Sequence, residues 1–212
     1  MLATVKAAPS ADSSDTSLPR RITLLITGWA LIAIGISGIL HANLGAGPFD
    51  VLNTALASRL NIAVGTASWI TISGVLVLAM CIGARPGIAT FAGAFVIGQG
   101  VNTLLPYMPQ PSAVLVRSMM LASALLVLCV GISLVLLSNL GGGAIDLLML
   151  ALHRRGLPIV AARLAIEVTA ASVGYLLGGS AGIGTVIIAF CVGPAIQRSL
   201  RWLTPAVAPF VA

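Results

Sequence analysis

The chain has 212 residues, of which 58% are hydrophobic and only 8% charged. A soluble domain carries about 25% charged residues, so a water-exposed surface is excluded and the chain reads as a polytopic membrane protein. The net charge of +6 comes from arginines at segment ends, which is an orientation signal; a nucleic-acid face, with basic and aromatic residues interleaved, is missing.

Residues 1–19 are small and polar and read as a disordered cytoplasmic tail. Arg20-Arg21 then abuts the apolar run Ile22–Leu40, which is long enough to span about 30 Å of hydrocarbon. Its length argues against a cleaved signal peptide. So does its place in a duplicated unit. Asn43-Leu44-Gly45-Ala46-Gly47-Pro48-Phe49-Asp50 recurs 96 residues later, beginning Asn139-Leu140-Gly141 and ending Gly143-Ala144-Ile145-Asp146. Sliding residues 35–60 onto 131–156 matches 13 of 26 positions without a gap. Such self-similarity marks a repeat architecture.

After the glycine-rich break, Pro48–Leu60 is a 13-residue helix with Pro48 and Asp50 in its first turn. At 1.5 Å per residue it reaches about 20 Å, too short for a comfortable crossing, so it reads as a half-helix or re-entrant helix. Val64–Gly83 and Ile88–Leu105 are the next spans, and Gly93, Gly98 and Gly100 let the latter approach its neighbours closely. Residues 106–112 form the linker. The second unit follows with spans Val114–Leu137, Pro158–Leu177 and Ile183–Leu200, and a short helix Gly143–Arg155. Its Gly182-Ile183-Gly184-Thr185 matches Gly87-Ile88-Ala89-Thr90 at a spacing of 95, which implies a deletion in the loop just before it.

The expected fold is all-α, with two homologous three-span repeats (20–105 and 113–203), each holding a short broken helix, and a tail over 204–212. With six spans, Lys6, Arg20, Arg21, Arg85, Arg154, Arg155, Arg198 and Arg201 fall inside, and Arg59 and Arg117 outside. That balance puts both termini in the cytoplasm of a cell (inner) membrane and makes the repeats inverted. Eight crossings would satisfy the charges as well; helix length favours six.

Glycine-rich backbone at membrane depth must be buried in protein or line a wet cavity. Paired broken helices in two halves are a sequence pointer to a transport site, expected where the short helices meet near the midplane. The candidate substrate or ion residues are Asp50, Asp146, Glu167, Asn43 and Asn139, and the backbone motif is Gly45, Gly47, Pro48, Gly141 and Gly143. Asp50 and Asp146 by default cap their own helices; binding a proton or cation is the alternative. Asn43 and Asn139 by default tie a helix end to the loop. Glu167 is the acid deepest in an apolar span, a place that suggests function. It either pairs with Arg163, four residues earlier, or carries a proton, and Thr71 is read as its counterpart in the first repeat. His41, Thr90, Thr185, Gln99, Asn102 and Gln197 bond locally or line a path. Cys81, Cys129 and Cys191 are scattered through apolar runs, and each reads as a buried thiol. No metal site, cofactor or ATP loop is expected, and no enzyme motif of the HExxH or GxSxG kind occurs.

The pattern NLGAGPFDVLNTAL, then Val64-Gly65-Thr66 and Arg85-Pro86-Gly87-Ile88-Ala89-Thr90, resembles the YczE/YyaS/YitT family of bacterial integral membrane proteins over residues 20–203. The resemblance implies location and class, not a substrate. In the second copy Ala144 replaces Pro48 and Pro194 replaces Gln99. Two functions stay open: a transporter or facilitator of an unidentified small solute, and a non-transporting membrane scaffold or regulator. The expected partners are the lipid bilayer and that solute, with no nucleic acid; the oligomeric state is not legible.

Overall fold

The computed structural model describes residues 18–108, 111–141 and 143–211. The expected N-terminal tail, Lys6 included, lies outside them up to residue 17. The elements are α1 (Leu18–Ala42), α2 (Pro48–Leu60), α3 (Val64–Cys81), α4 (Ile88–Leu104) with a 3-10 turn over Leu105–Tyr107, α5 (Val114–Ser138), α6 (Ala144–Arg154), α7 (Ile159–Leu176) and α8 (Ile183–Val211). Among the described residues there are no strands, and six helices are long and apolar enough to cross a membrane. The short pair, α2 and α6, have 13 and 11 residues.

Most ends fall within one or two residues of those expected from the sequence. Two do not. Helix α1 begins at Leu18, because Pro19 suits a first helical turn. Helix α8 continues to Val211 instead of ending at Leu200. Arg198 lies over the Trp202 ring at 5.8 Å, so the turn that carries the charges packs as helix rather than stopping it.

The core is the α1–α5 pair, both of 25 residues. A Cβ on Gly28 would meet Gly131 O at 2.9 Å, one on Gly35 would meet Leu128 Cβ at 2.8 Å, and one on Gly38 would meet Ala124 Cβ at 2.8 Å. Numbers rise along α1 as they fall along α5, so the helices run antiparallel, and small residues let their backbones touch. Ile39, Ala42, Leu121, Ala124, Leu128 and Ile188 form the buried cluster between them and α8. Helix α4 lies on the other side of α1, where Gly93 meets Trp29 and Gly100 meets Ala33.

Helices α2 and α6 each cross to the other half: α2 packs on α7 and α6 packs on α3. Helices α3 and α4 are zipped together. Gly65 N donates to Asn102 Oδ1 at 2.8 Å, Asn102 Nδ2 to Thr66 Oγ1 at 3.2 Å, and Trp69 stacks on Phe95 at 4.8 Å. The matching helices α7 and α8 scarcely touch. At the zipper positions α7 has Val160 and Leu164, both exposed, where α3 has Gly65 and Trp69.

Of the cysteines only Cys129 is buried; Cys81 and Cys191 are exposed. Their apolar surroundings are the outward faces of spans rather than a protein core. That corrects the expectation of three buried thiols.

Candidate functional site

Each glycine-rich break begins with an asparagine in the left-handed region, Asn43 at φ 49° and Asn139 at φ 52°. This conformation ends a helix and frees its last carbonyls. Arginines take them. Arg117 donates to Ala42 O at 2.8 Å and also to Asn43 O. Arg21 donates to Ser138 O at 2.8 Å and Asn139 O at 2.7 Å. The two asparagines therefore act through backbone, and among the described residues neither side chain makes a hydrogen bond.

Gly45 has φ +125°, and a Cβ there would meet Thr185 Oγ1 at 2.7 Å and Gly182 N at 2.8 Å. Only glycine adopts this geometry cheaply. Ala46 N donates to Ser180 O at 2.9 Å and Gly184 N to Leu44 O at 2.7 Å. The first break thus docks on the Gly182–Thr185 start of α8. The second docks on the matching start of α4: a Cβ on Gly141 would meet Ala89 Cβ at 3.2 Å. The two sequence motifs meet crosswise, each with its partner from the other half.

The acids part company. Asp146 accepts Arg163 Nη1 at 2.9 Å, and Glu167 accepts Arg163 Nε at 2.9 Å. All three side chains are between one fifth and two fifths exposed. Asp50 accepts Asn53 Nδ2 at 3.3 Å and has no charged partner among the described residues. Both aspartates fold back over the N-cap glycine: a Cβ on Gly47 would meet Asp50 Oδ2 at 3.0 Å, and one on Gly143 would meet Asp146 Oδ2 at 3.2 Å. Neither accepts a hydrogen bond from a first-turn N–H among the described residues.

Two cavities stand out. One, of about 380 Å³, lies at the C-terminal end of α1 and is lined by His41, Asn43, Gly45, Thr54, Arg117 and Ser180, among others. The other, of about 480 Å³, lies between α2, α3, α6 and α7. Phe49, Leu52 and Leu56 reach it from one short helix, Leu148 and Leu152 from the other, and Thr71 and Thr169 are its only hydroxyl side chains. Asp50, Asp146 and Glu167 line neither cavity. The breaks themselves do not meet. Asn139 sits at Arg21, 22 residues before Asn43 on the α1 side, so at 1.5 Å per residue they are about 30 Å apart, at opposite ends of the bundle. What the short helices share is their apolar faces.

Residues 19–201 match DUF6198, a family of unknown function. The chain belongs to this family. It is also 28% identical over 193 residues to an uncharacterized protein of Haemophilus influenzae, covering 91% of this chain and 88% of that one. With the uncharacterized membrane protein YczE of Bacillus subtilis it shares 24% identity over 185 residues, covering 85% of each. No solved structure matches. The resemblance to a YczE-type family therefore holds.

In this DUF6198 member the residues that sequence reasoning missed are Arg21 and Arg117 as helix-end caps, the reach of Arg163 to Asp146, and Asn53. Arg21 and Arg117 are themselves 96 residues apart, a signal that was present but lay upstream of the strongly matching stretch. The change of spacing also falls earlier than expected. Helices α3 and α7 start at 64 and 159 and end before Gly83 and Gly178, at φ +91° and +89°. Both pairs are 95 apart, so the deletion precedes α7, and Glu167 corresponds to Ile72 rather than Thr71.

Proposed function

We propose that this membrane protein is a transporter or facilitator built from two inverted repeats, and that its solute site is the cavity between α2, α3, α6 and α7. The supporting observation is that each half sends its short helix across to the other, so that both halves frame one cavity of about 480 Å³. Antiparallel α1 and α5, the same 25 residues of each half, favour inversion. Interfaces between such repeats are where transporters bind solute. The lining favours an apolar or amphipathic solute, since a hydrophilic one would leave its polar groups unpaired there. The inner membrane, with both termini cytoplasmic, is the matching location. A non-transporting scaffold is the competing reading, favoured by the scarcity of charged residues, 8% of the chain.

The test is solute flux into vesicles that contain the purified protein, with a panel graded from lipophilic to hydrophilic. The expected outcome is flux of lipophilic members that Gly74→Phe abolishes. Gly74 lines the cavity, and a Cβ there meets nothing within 4 Å, so the ring enters open space. Flux of no panel member above protein-free vesicles contradicts the proposal.

A further inference from the structure

Asp50 and Asp146 hold matching places 96 residues apart, yet their surroundings differ in charge. Asp146 receives the Arg163 guanidinium at 2.9 Å. At the 95-residue spacing of α3 and α7, the residue that matches Arg163 is Ser68, which brings no charge. Asn53, the one partner of Asp50 among the described residues, is only 4% exposed, and its Oδ1 has no donor. Its match in the second half is Met149, which asks for none. In the first half, then, the carboxylate lacks a counter-charge and the buried amide oxygen a donor, a pair of needs that one small cation between them meets, and an unpaired buried polar atom is costly. In the second half the counter-charge is built into the chain.

We propose that Asp50 and Asn53 form a binding site for a small cation, a sodium ion or a proton. The site takes from solution the charge that Arg163 supplies to Asp146. Asp50 is the charged ligand. Asn53 is the neutral one, through the buried Oδ1 that has no donor; its amide lies against the carboxylate, and half a revolution exchanges Oδ1 with the Nδ2 that now faces it. A sodium ion is then held between carboxylate and amide oxygens; a proton sits on Asp50 and is donated to Asn53 Oδ1.

Among the described residues no charged group of the surrounding elements pairs with Asp50. Arg59 on α2 donates to Leu177 O at 3.2 Å, and Arg163 and Glu167 on α7 bond each other. Helix α3 carries no Asp, Glu, Lys, Arg or His. Arg198 on α8 lies over Trp202, and Arg201 follows it at the far end of that helix. At the end of α1, Arg117 holds the Ala42 and Asn43 carbonyls, and His41 lines the polar cavity beside it.

This deepens the transport reading by naming a coupling ion, and its test measures binding alone, so the two fail separately. The purified full chain in nanodiscs is melted while sodium replaces choline at fixed pH, and again across a pH series in choline. A ligand that binds only the folded state raises the melting temperature with its concentration. Stabilisation by sodium at fixed pH identifies the ion; stabilisation as pH falls, with no sodium effect, identifies the proton. Asp50→Asn and Asn53→Leu are each expected to shift the midpoint of the response by about tenfold or more. Ser68→Arg, which builds in the guanidinium, is expected to remove the response, and it decides the case if Asp50→Asn does not fold. A wild-type protein that responds to neither ion, or variants that respond as wild type does, overturns the proposal.

Discussion

At the scale of single residues, one arginine separates the roles of three acids. Arg163 and Glu167 are four apart on a helix, so their pairing is legible from spacing alone. The bond from Arg163 to Asp146 is not, because no local rule ties the first turn of α6 to the second turn of α7. In the sequence Asp50 and Asp146 look equivalent, and Glu167 looks the better proton carrier. The geometry places Glu167 in an ion pair and leaves Asp50 without one. Removing Arg163 leaves two carboxylates without their cation. Arg163→Ala is therefore expected to cost about 1–3 kcal/mol of unfolding free energy, less than for a fully buried pair because the groups are partly exposed. Glu167→Gln is expected to cost less, since Arg163 keeps Asp146. Denaturant unfolding in mild detergent checks the order; a larger loss for Glu167→Gln contradicts it.

At the scale of elements, the broken helices are held by what they dock against. Their existence and length were legible, because Pro48 opens α2 and 13 apolar-biased residues cannot span a bilayer. Their partners were not, since the contact of Gly45 with Gly182 and Thr185 joins segments far apart in the chain. Gly45 is strained for any other residue and crowded by backbone, whereas Gly141, at φ +157°, lies near the edge of the extended region, and a Cβ there would be tight only against the Ala89 methyl at 3.2 Å. Gly45→Ala is thus expected to destabilise by about 2–4 kcal/mol and Gly141→Ala by less, measured by thermal unfolding of the purified variants. Equal losses would mean that the two breaks are loaded alike. The arginine caps were hidden for another reason: over residues 18–34 and their matches 96 later only Arg21 and Leu25 agree with Arg117 and Leu121. Arg117→Met is expected to cost about 1–3 kcal/mol, the worth of charged hydrogen bonds to helix-end carbonyls. Arg21→Met should behave alike, and the pair should add, since the sites are about 30 Å apart.

At the scale of the whole molecule, membrane class, six spans and two short helices were all carried by hydropathy and glycine patterning. The packing order was not, because lipid-facing and protein-facing apolar residues look the same in a sequence. In the proposed orientation, with both termini cytoplasmic, the linker between the halves lies outside. Ser112, exposed just before α5, supplies a probe. In a chain with its three cysteines replaced, Ser112→Cys is expected to react with an impermeant reagent on intact cells; reaction only after lysis reverses the orientation. In the proposed function the short helices of two inverted halves frame one apolar binding site. The most direct test of that reading is titration of the purified protein in nanodiscs with a lipophilic solute from the active end of the flux panel. Gly193 on α8 also leaves open space for a Cβ but does not line the cavity, so Gly193→Phe is the size-matched control. The account predicts that Gly74→Phe weakens binding by about tenfold or more, about 1.4 kcal/mol, while Gly193→Phe binds as wild type does. Unchanged binding by a folded Gly74→Phe would contradict it.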